Sequence, residues 1–326
     1  MGQYWELFNI DKRQKGEGVS GKFCEFVFDC HNWLVKLLAR PCFPDVLLPA
    51  YYLSPPTRDE SKLGPIAVVP PEVFAAIFSF ISSVDDAVCL ASAHRLLSSE
   101  GFRRVVELRR EECAAWGSWA GDRIITAGDY LDVLPKGMLS SAEANEIDDE
   151  SEFYYYASEN YKKNPPLAPI VRKGKKSDIV KTALQRVSPD TSRGDYLRTR
   201  LLLESTAPRY APNASWALCN MSRKKYIRAS DLARLRIPGE DVQFGCSVDG
   251  PFVMGPKTVI DLGTLAIIMT TDSSDMGDVG TYGPWAGDRL AIAMVEELPG
   301  EGWEDDSVRG LKTVKQCMMA NDDMFY

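Results

Sequence analysis

One phrase occurs twice in this chain: Trp119-Ala120-Gly121-Asp122-Arg123 returns as Trp285-Ala286-Gly287-Asp288-Arg289. Each copy runs straight into strand-forming residues, Ile124-Ile125 in one case and Leu290-Ala291-Ile292 in the other. A second echo lies upstream of each. Trp5-Glu6-Leu7-Phe8-Asn9, followed by Ile10-Asp11-Lys12-Arg13, matches Trp216-Ala217-Leu218-Cys219-Asn220, followed by Met221-Ser222-Arg223-Lys224. Both read Trp-x-Leu-x-Asn, then an apolar residue, a short oxygen-bearing side chain and two cations. Two motifs in the same order in each half are what a duplicated structural unit leaves behind. The chain is therefore expected to fold as two related, strand-rich units sharing one core.

The first copy spaces its motifs more widely than the second, and the excess matches a helical block running roughly from Pro65 to Arg109. Loops accept such insertions at small cost, because closure entropy grows only logarithmically with length. The expected class is α+β, with two pseudo-repeated strand-rich units and a helical insertion in the first. Residues 1–64 and 111–139 form the two parts of unit one, around an insertion over 65–110. A helical, charged connector spans 140–196, the second unit 197–299 and an acidic tail 300–326.

Within that frame, residues 4–9 read as a strand and 22–28 as its partner or as a strand leading into a helix. The spacing of Trp33, Leu34, Leu37 and Leu38 is helical and ends before Pro41. Val73, Ile77, Phe80 and Ile81 make one helical face, and a second short helix runs over 85–97 with Ser83 or Asp85 as cap. Residues 102–116 continue as a third helix, with Arg103, Arg104, Arg109 and Arg110 on a solvated side. Helical pieces are expected between 140 and 164, and another over 178–186. A strand is expected over 197–204, a hairpin over 215–228, and a short helix capped by Ser230. The apolar run 258–271 reads as a strand pair broken at Gly263, 289–295 as a strand, and 311–319 as a helix.

Bulk properties exclude several classes of function. The 326 residues are 45% hydrophobic, enough for a substantial core. A formal charge of −8 and a pI near 5.1 oppose general nucleic-acid or anionic-membrane binding, which need a basic field. The apolar run 262–269 is too short to span a bilayer. The N-terminus lacks a signal-peptide core, and Glu6 stands where a myristoylation signal wants Ser or Thr. Eight cysteines without an export signal read as reduced thiols, which points to the cytoplasm or nucleus. Cys24, Cys30, His31 and Cys42 lack the paired knuckle that zinc sites favour. No cofactor is implied.

Catalytic signatures are sparse. With two histidines, His31 and His94, and neither a nucleophile elbow nor a phosphate-binding loop, the sequence favours a non-enzymatic role. Asp272, Asp275 and Asp278 could gather a hard cation, although their spacing matches no calcium loop and a solvated loop explains them. The repeated pentapeptide admits two readings. As scaffold, Gly makes a tight turn, Asp accepts backbone N–H groups, Arg pairs with it and Trp plugs the core. As a ligand site, Trp119, Asp122, Arg123, Trp285, Asp288 and Arg289 would line a cleft between the units, serving a small molecule or an enzymatic reaction.

The helical block carries the most specific signal. Val69-Pro70-Pro71-Glu72-Val73, then Ile77, Phe80, Ile81, Asp85, Leu90 and Arg95-Leu96 resemble the F-box. That family opens on Leu-Pro-x-Glu; Val69 replaces its Leu here, and Ile81 a later Leu. The resemblance implies docking on the Skp1 adaptor of a cullin ubiquitin ligase, with the remaining chain capturing a substrate protein. Pro70, Glu72, Val73, Ile77, Phe80, Ile81 and Leu90 would then form the docking surface. As a whole, the chain also resembles a group of proteins from mushroom-forming fungi that begin Gly-x-Tyr-Trp and carry Trp-Ala-Gly-Asp-Arg later. Gly2, Tyr4, Trp5, Asp11, Lys12 and Arg13 bear that likeness together with the two pentapeptides, and it brings no activity with it.

Overall fold

The computed structural model describes residues 3–45, 64–65, 68–147, 152–168, 193–236, 246–255, 260–277 and 282–320. The chain forms two compact units, one from Met1–Arg40, Ala115–Pro166 and Tyr210–Tyr326, the other from Pro41–Ala114 and Leu167–Arg209. Strands are β1 (Tyr4–Asn9), β2 (Gln14–Lys22), β3 (Asp122–Gly128), β4 (Lys162–Lys163), β5 (Trp216–Asn220), β6 (Lys225–Arg228), β7 (Ser247–Asp249), β8 (Phe252–Met254), β9 (Thr271–Asp272), β10 (Arg289–Met294) and β11 (Glu304–Asp305). Helices are α1 (Phe23–Phe26), α2 (Asn32–Leu38), α3 (Pro71–Ser79), α4 (Val84–Ala93), α5 (Arg95–Glu112), α6 (Ser141–Glu146), α7 (Phe153–Asn160), α8 (Arg193–Thr206), α9 (Ala229–Leu232), α10 (Leu262–Met269) and α11 (Ser307–Ala320). The fold is α+β.

The first unit is built on a mixed nine-stranded sheet in the order β11-β6-β5-β10-β3-β1-β2-β4, with β9 also paired to β3. This order has the same plan read from either end. β1 pairs antiparallel with β2 and β3, just as β5 pairs antiparallel with β6 and β10. At the centre β3 meets β10 antiparallel, with Arg123 opposite Arg289. At the edges β4 joins β2 and β11 joins β6, both parallel and both at matching positions, Gln14 opposite Lys162 and Lys225 opposite Glu304. Even the minor pairings correspond: Thr271 runs parallel to Thr126 on β3, and Ala39 bridges parallel to Ile292 on β10.

Helices follow the same plan. α1 follows β2 as α9 follows β6, and α2 occupies the place that α10 takes in the second half. Trp119 N–H donates to Leu37 O at the end of α2 (2.9 Å), and Trp285 N–H donates to Met269 O at the end of α10 (2.8 Å). α10 packs against α2 and α11 and over β5 and β3. Trp5, Trp119 and Trp285 are buried completely, so each motif's tryptophan fills core rather than facing solvent.

Residues 23–26, expected within a strand, form helix α1, and the partner of β1 is instead the preceding segment 14–22. Two further segments differ from the sequence expectation. Residues 262–269 are a helix, not a strand pair, and all eight are buried. A helix hydrophobic on every side loses the 3.6-residue alternation that would identify it. The start signal is nonetheless present, because Asp261 accepts the Thr264 N–H (2.8 Å) as an N-cap. Residues 197–204 lie in α8 rather than in a strand, with Leu202 and Leu203 buried in the helical core of the second unit. The tail from Gly300 supplies β11 and α11, whose Val314, Cys317 and Met318 are buried. The expected helix over 178–186 falls outside the described residues.

The second unit holds α3, α4, α5 and α8 around Phe74, Phe78, Val88, Phe102, Val105 and Leu202. Pro71 starts α3 at a position that needs no N–H, and Ser83 Oγ accepts the Asp86 N–H (3.4 Å) to cap α4. This unit extends beyond the expected insertion, because residues 167–209 belong to it as well. No helix among the described residues is long and apolar enough to cross a membrane.

Candidate functional site

In the first unit, each Trp-Ala-Gly-Asp-Arg corner is held by the Trp-x-Leu-x-Asn strand of its own half. Asn9 Nδ2 donates to Asp122 Oδ2 (2.9 Å), and Asn220 Nδ2 donates to Asp288 Oδ2 (2.8 Å). The other end of each amide accepts a backbone N–H, Lys12 to Asn9 (2.8 Å) and Arg223 to Asn220 (2.9 Å). Both asparagines are fully buried. The two corners also lock each other: Gly121 N–H donates to Leu290 O (2.7 Å) and Gly287 N–H to Ile124 O (2.9 Å). Positive φ at both glycines, +95° and +73°, makes these turns.

The halves then diverge in charge. Asp11 and Ser222 hold equivalent places and accept the N–H of Arg123 (2.7 Å) and Arg289 (2.9 Å) respectively. Asp11 adds ion pairs to the Arg123 guanidinium (2.6 Å) and to Arg289 (3.0 Å). Arg123 also grips Glu143 (2.7 Å) and the Met138 carbonyl (2.7 Å). The Arg123 hydrogen bond pulls Glu143 down to about 2. Burial would raise Asp11, but hydrogen bonds from Arg123 and the charges of Arg123 and Arg289 outweigh it, leaving that carboxyl below its usual range. Asp288 pairs with Arg223 (2.7 Å).

These partners correct one expectation. Neither motif pairs its own Asp with its own Arg, and neither Asp side chain closes its turn by collecting backbone N–H groups; the buried asparagines and Asp11 take those roles. Trp119, Asp122, Arg123, Trp285, Asp288 and Arg289 thus meet at the centre of one sheet, with the tryptophans buried and the charged groups engaged inside the chain. The asparagine closing each Trp-x-Leu-x-Asn strand was the sequence signal for this arrangement. Asp272 and Asp275 lie in or beside β9, Asp278 lies outside the described residues, and no group of three His, Cys, Asp or Glu side chains suited to a metal occurs among the described residues.

In the second unit the residues of α3 divide. Phe74 and Phe78 point from α3 into the core, whereas Val73, Ile77 and Phe80 leave the other side 45%, 46% and 88% exposed. Pro70 and Glu72 at the start of the helix are exposed too. Ile81 and Leu90 lean on the core, half-buried. The Ile81 carbonyl accepts two hydrogen bonds from Arg104 (3.0 Å each), which fixes the end of the α3 turn. Leu96, part of the resemblance but not of the expected docking surface, is 41% exposed, and Val68, which the sequence reading passed over, is 84% exposed. One arginine expected in solvent is instead buried: Arg109, whose nearest acid is Glu112 at 3.5 Å.

A scan against protein-family models matches none, and comparisons with curated proteins and with solved structures find no match.

Proposed function

We propose that the chain is a non-enzymatic interaction protein of the cytoplasm or nucleus. Its helical unit docks on a Skp1-like adaptor of a cullin ubiquitin ligase, and its sheet unit captures a substrate protein. The observation that carries this reading is α3. Its inward side completes a core of its own, while Val73, Ile77 and Phe80 at i, i+4 and i+7 stand in water on the other. Fully burying one such side chain is worth about 1.5–3 kcal/mol, so three of them kept exposed on one short helix is an arrangement suited to helix-in-groove docking. Pro70 and Glu72 form the polar rim of that face, and Ile81 and Leu90 support it from behind.

The test is co-purification of the full chain with a Skp1-like adaptor. Wild type is expected to form a stoichiometric complex. Ile77→Asp and Phe80→Ser are expected to abolish it while leaving helical circular dichroism and melting temperature unchanged, since neither side chain is in the core. Val133→Ser, which alters an exposed residue of the sheet unit (77%), is expected to bind as wild type. Failure of wild type to bind, or undiminished binding by both α3 variants, would overturn the reading.

A further inference from the structure

The junction where β1 begins and β3 ends is built twice, so each half serves as a control for the other. In the first half Asp129 N–H donates to Tyr4 O (2.8 Å), and in the second Val295 N–H donates to Ser215 O (2.9 Å). A carboxylate closes each junction from outside: Asp129 Oδ1 accepts the Tyr4 N–H (3.1 Å), and Glu296 Oε1 accepts the Ser215 N–H (3.2 Å). The backbone plan is the same and the side chains are not. Tyr4, Asp129 and Tyr130 occupy the places of Ser215, Val295 and Glu296. The second half shows that the fold closes here without aromatic rings.

The first half nevertheless displays three. Tyr4 is 55% exposed, Tyr130 44%, and Tyr155 of α7 50%. Tyr155 is braced edge-on against Tyr154 (5.4 Å between ring centres), and Tyr154 packs on buried Phe8 (6.0 Å). Phe153, Tyr154 and Ala157 of α7 share a buried cluster with Ala127 and Leu131, which brings α7 against the segment that carries Asp129 and Tyr130. The loop carrying Tyr130 is pinned: Ser274 N–H donates to Tyr130 O (3.0 Å), and Asp132 N–H donates to Ser274 Oγ (3.1 Å). Buried Gln3 holds the same loop from beneath, its oxygen accepting the Tyr130 N–H (3.3 Å) and its nitrogen donating to Asp275 O (2.8 Å).

Charge completes the picture. Asp129 is half-buried, and among the described residues no cation lies within ion-pair distance of it. Lys22, in register with Tyr4 across β1–β2, forms no ion pair with it. Asp132 and Glu152 add negative charge at exposed positions. Ring faces attract a weakly hydrated cation, and an adjacent carboxylate supplies its counter-charge.

We propose that Tyr4, Tyr130 and Tyr155, exposed on the three elements that meet at Asp129, form a binding surface for an alkylammonium cation. Such a head group occurs on free small molecules and on methylated lysine side chains, and both present the same chemistry to the rings. The surface belongs to the sheet unit, and α3 belongs to the helical unit.

The experiment titrates full-length protein with choline, with tetramethylammonium and with a trimethyl-lysine peptide by calorimetry, using 3,3-dimethylbutanol as the uncharged analogue of choline. Saturable binding of at least one cation is expected, with none of the alcohol. Binding of choline identifies the free small molecule as sufficient, and binding of the peptide alone identifies the lysine side chain. Tyr4→Ser installs the residue of the second half, and Asp129→Asn keeps an oxygen for the Tyr4 N–H while removing the charge, so both should fold with unchanged melting temperature. Tyr4→Ser is expected to weaken binding about two- to fivefold, and Asp129→Asn to abolish it. Absence of saturation by all three cations, equal binding of the alcohol, or unaltered affinity in both variants would overturn the proposal.

Discussion

Replacing Asn9 by Leu should damage this protein more than replacing Asn220 by Leu, although the two residues do the same work. Each is fully buried, donates to the aspartate of its corner and accepts a backbone N–H. A hydrogen bond to a charged group contributes about 1.5–3 kcal/mol, and a lost neutral one about 1 kcal/mol. Lys12 is exposed, so its freed N–H can turn to water and the second loss is partly recovered. The expected cost of Asn9→Leu is therefore about 2–4 kcal/mol. After Asn220→Leu, Asp288 keeps Arg223 at 2.7 Å, and only part of that cost remains. All seven tryptophans lie in the sheet unit. Urea unfolding followed by tryptophan fluorescence consequently reads that unit alone, even if the helical unit unfolds separately. Equal stability of Asn9→Leu and wild type, or a larger loss for Asn220→Leu, would refute the assignment of these asparagines as the ties of the sheet.

Two further perturbations follow from the same corners. Glu143 is held at about 2 against an ordinary 4.5, so in the folded state its pKa is depressed; its contribution is present above about 4.5 and disappears as the pH falls toward about 2. Glu143→Gln should flatten acid unfolding across that window, and a profile as steep as wild type would count against the Arg123–Glu143 tie. Gly121→Ala meets empty space and should cost only the strain of a positive φ, about 1–2 kcal/mol. Gly287→Ala also drives a Cβ to 2.7 Å from Met138 Cγ, which is itself buried, and its melting temperature should fall further.

Much of the sheet was legible because its defining residues recur. The Trp-x-Leu-x-Asn strands became β1 and β5, the pentapeptides became the entries to β3 and β10, and the apolar spacing of Val73 and Ile77 gave one side of α3. What escaped was whatever leaves no periodic trace. α10 is buried on all sides, so its Ile267-Ile268 pair resembles strand sequence, and only Asp261 three residues before Thr264 betrayed a helix start. Leu201-Leu202-Leu203 misled in the same way within α8. Partner choice was also hidden. Asp122 and Arg123 are adjacent in sequence, yet one answers to Asn9 and the other to Asp11 and Glu143, because sheet register rather than proximity along the chain decides which side chains meet. The tyrosine surface could be picked out only once Ser215 and Val295 were seen in the corresponding places of the other half.

The docking reading is tested most directly by amide hydrogen exchange on the full-length chain with and without a saturating Skp1-like adaptor. The account predicts added protection over residues 70–81 and none in β1, β3, β5 or β10. Protection in those central strands with α3 exchanging as it does in the free protein would contradict it.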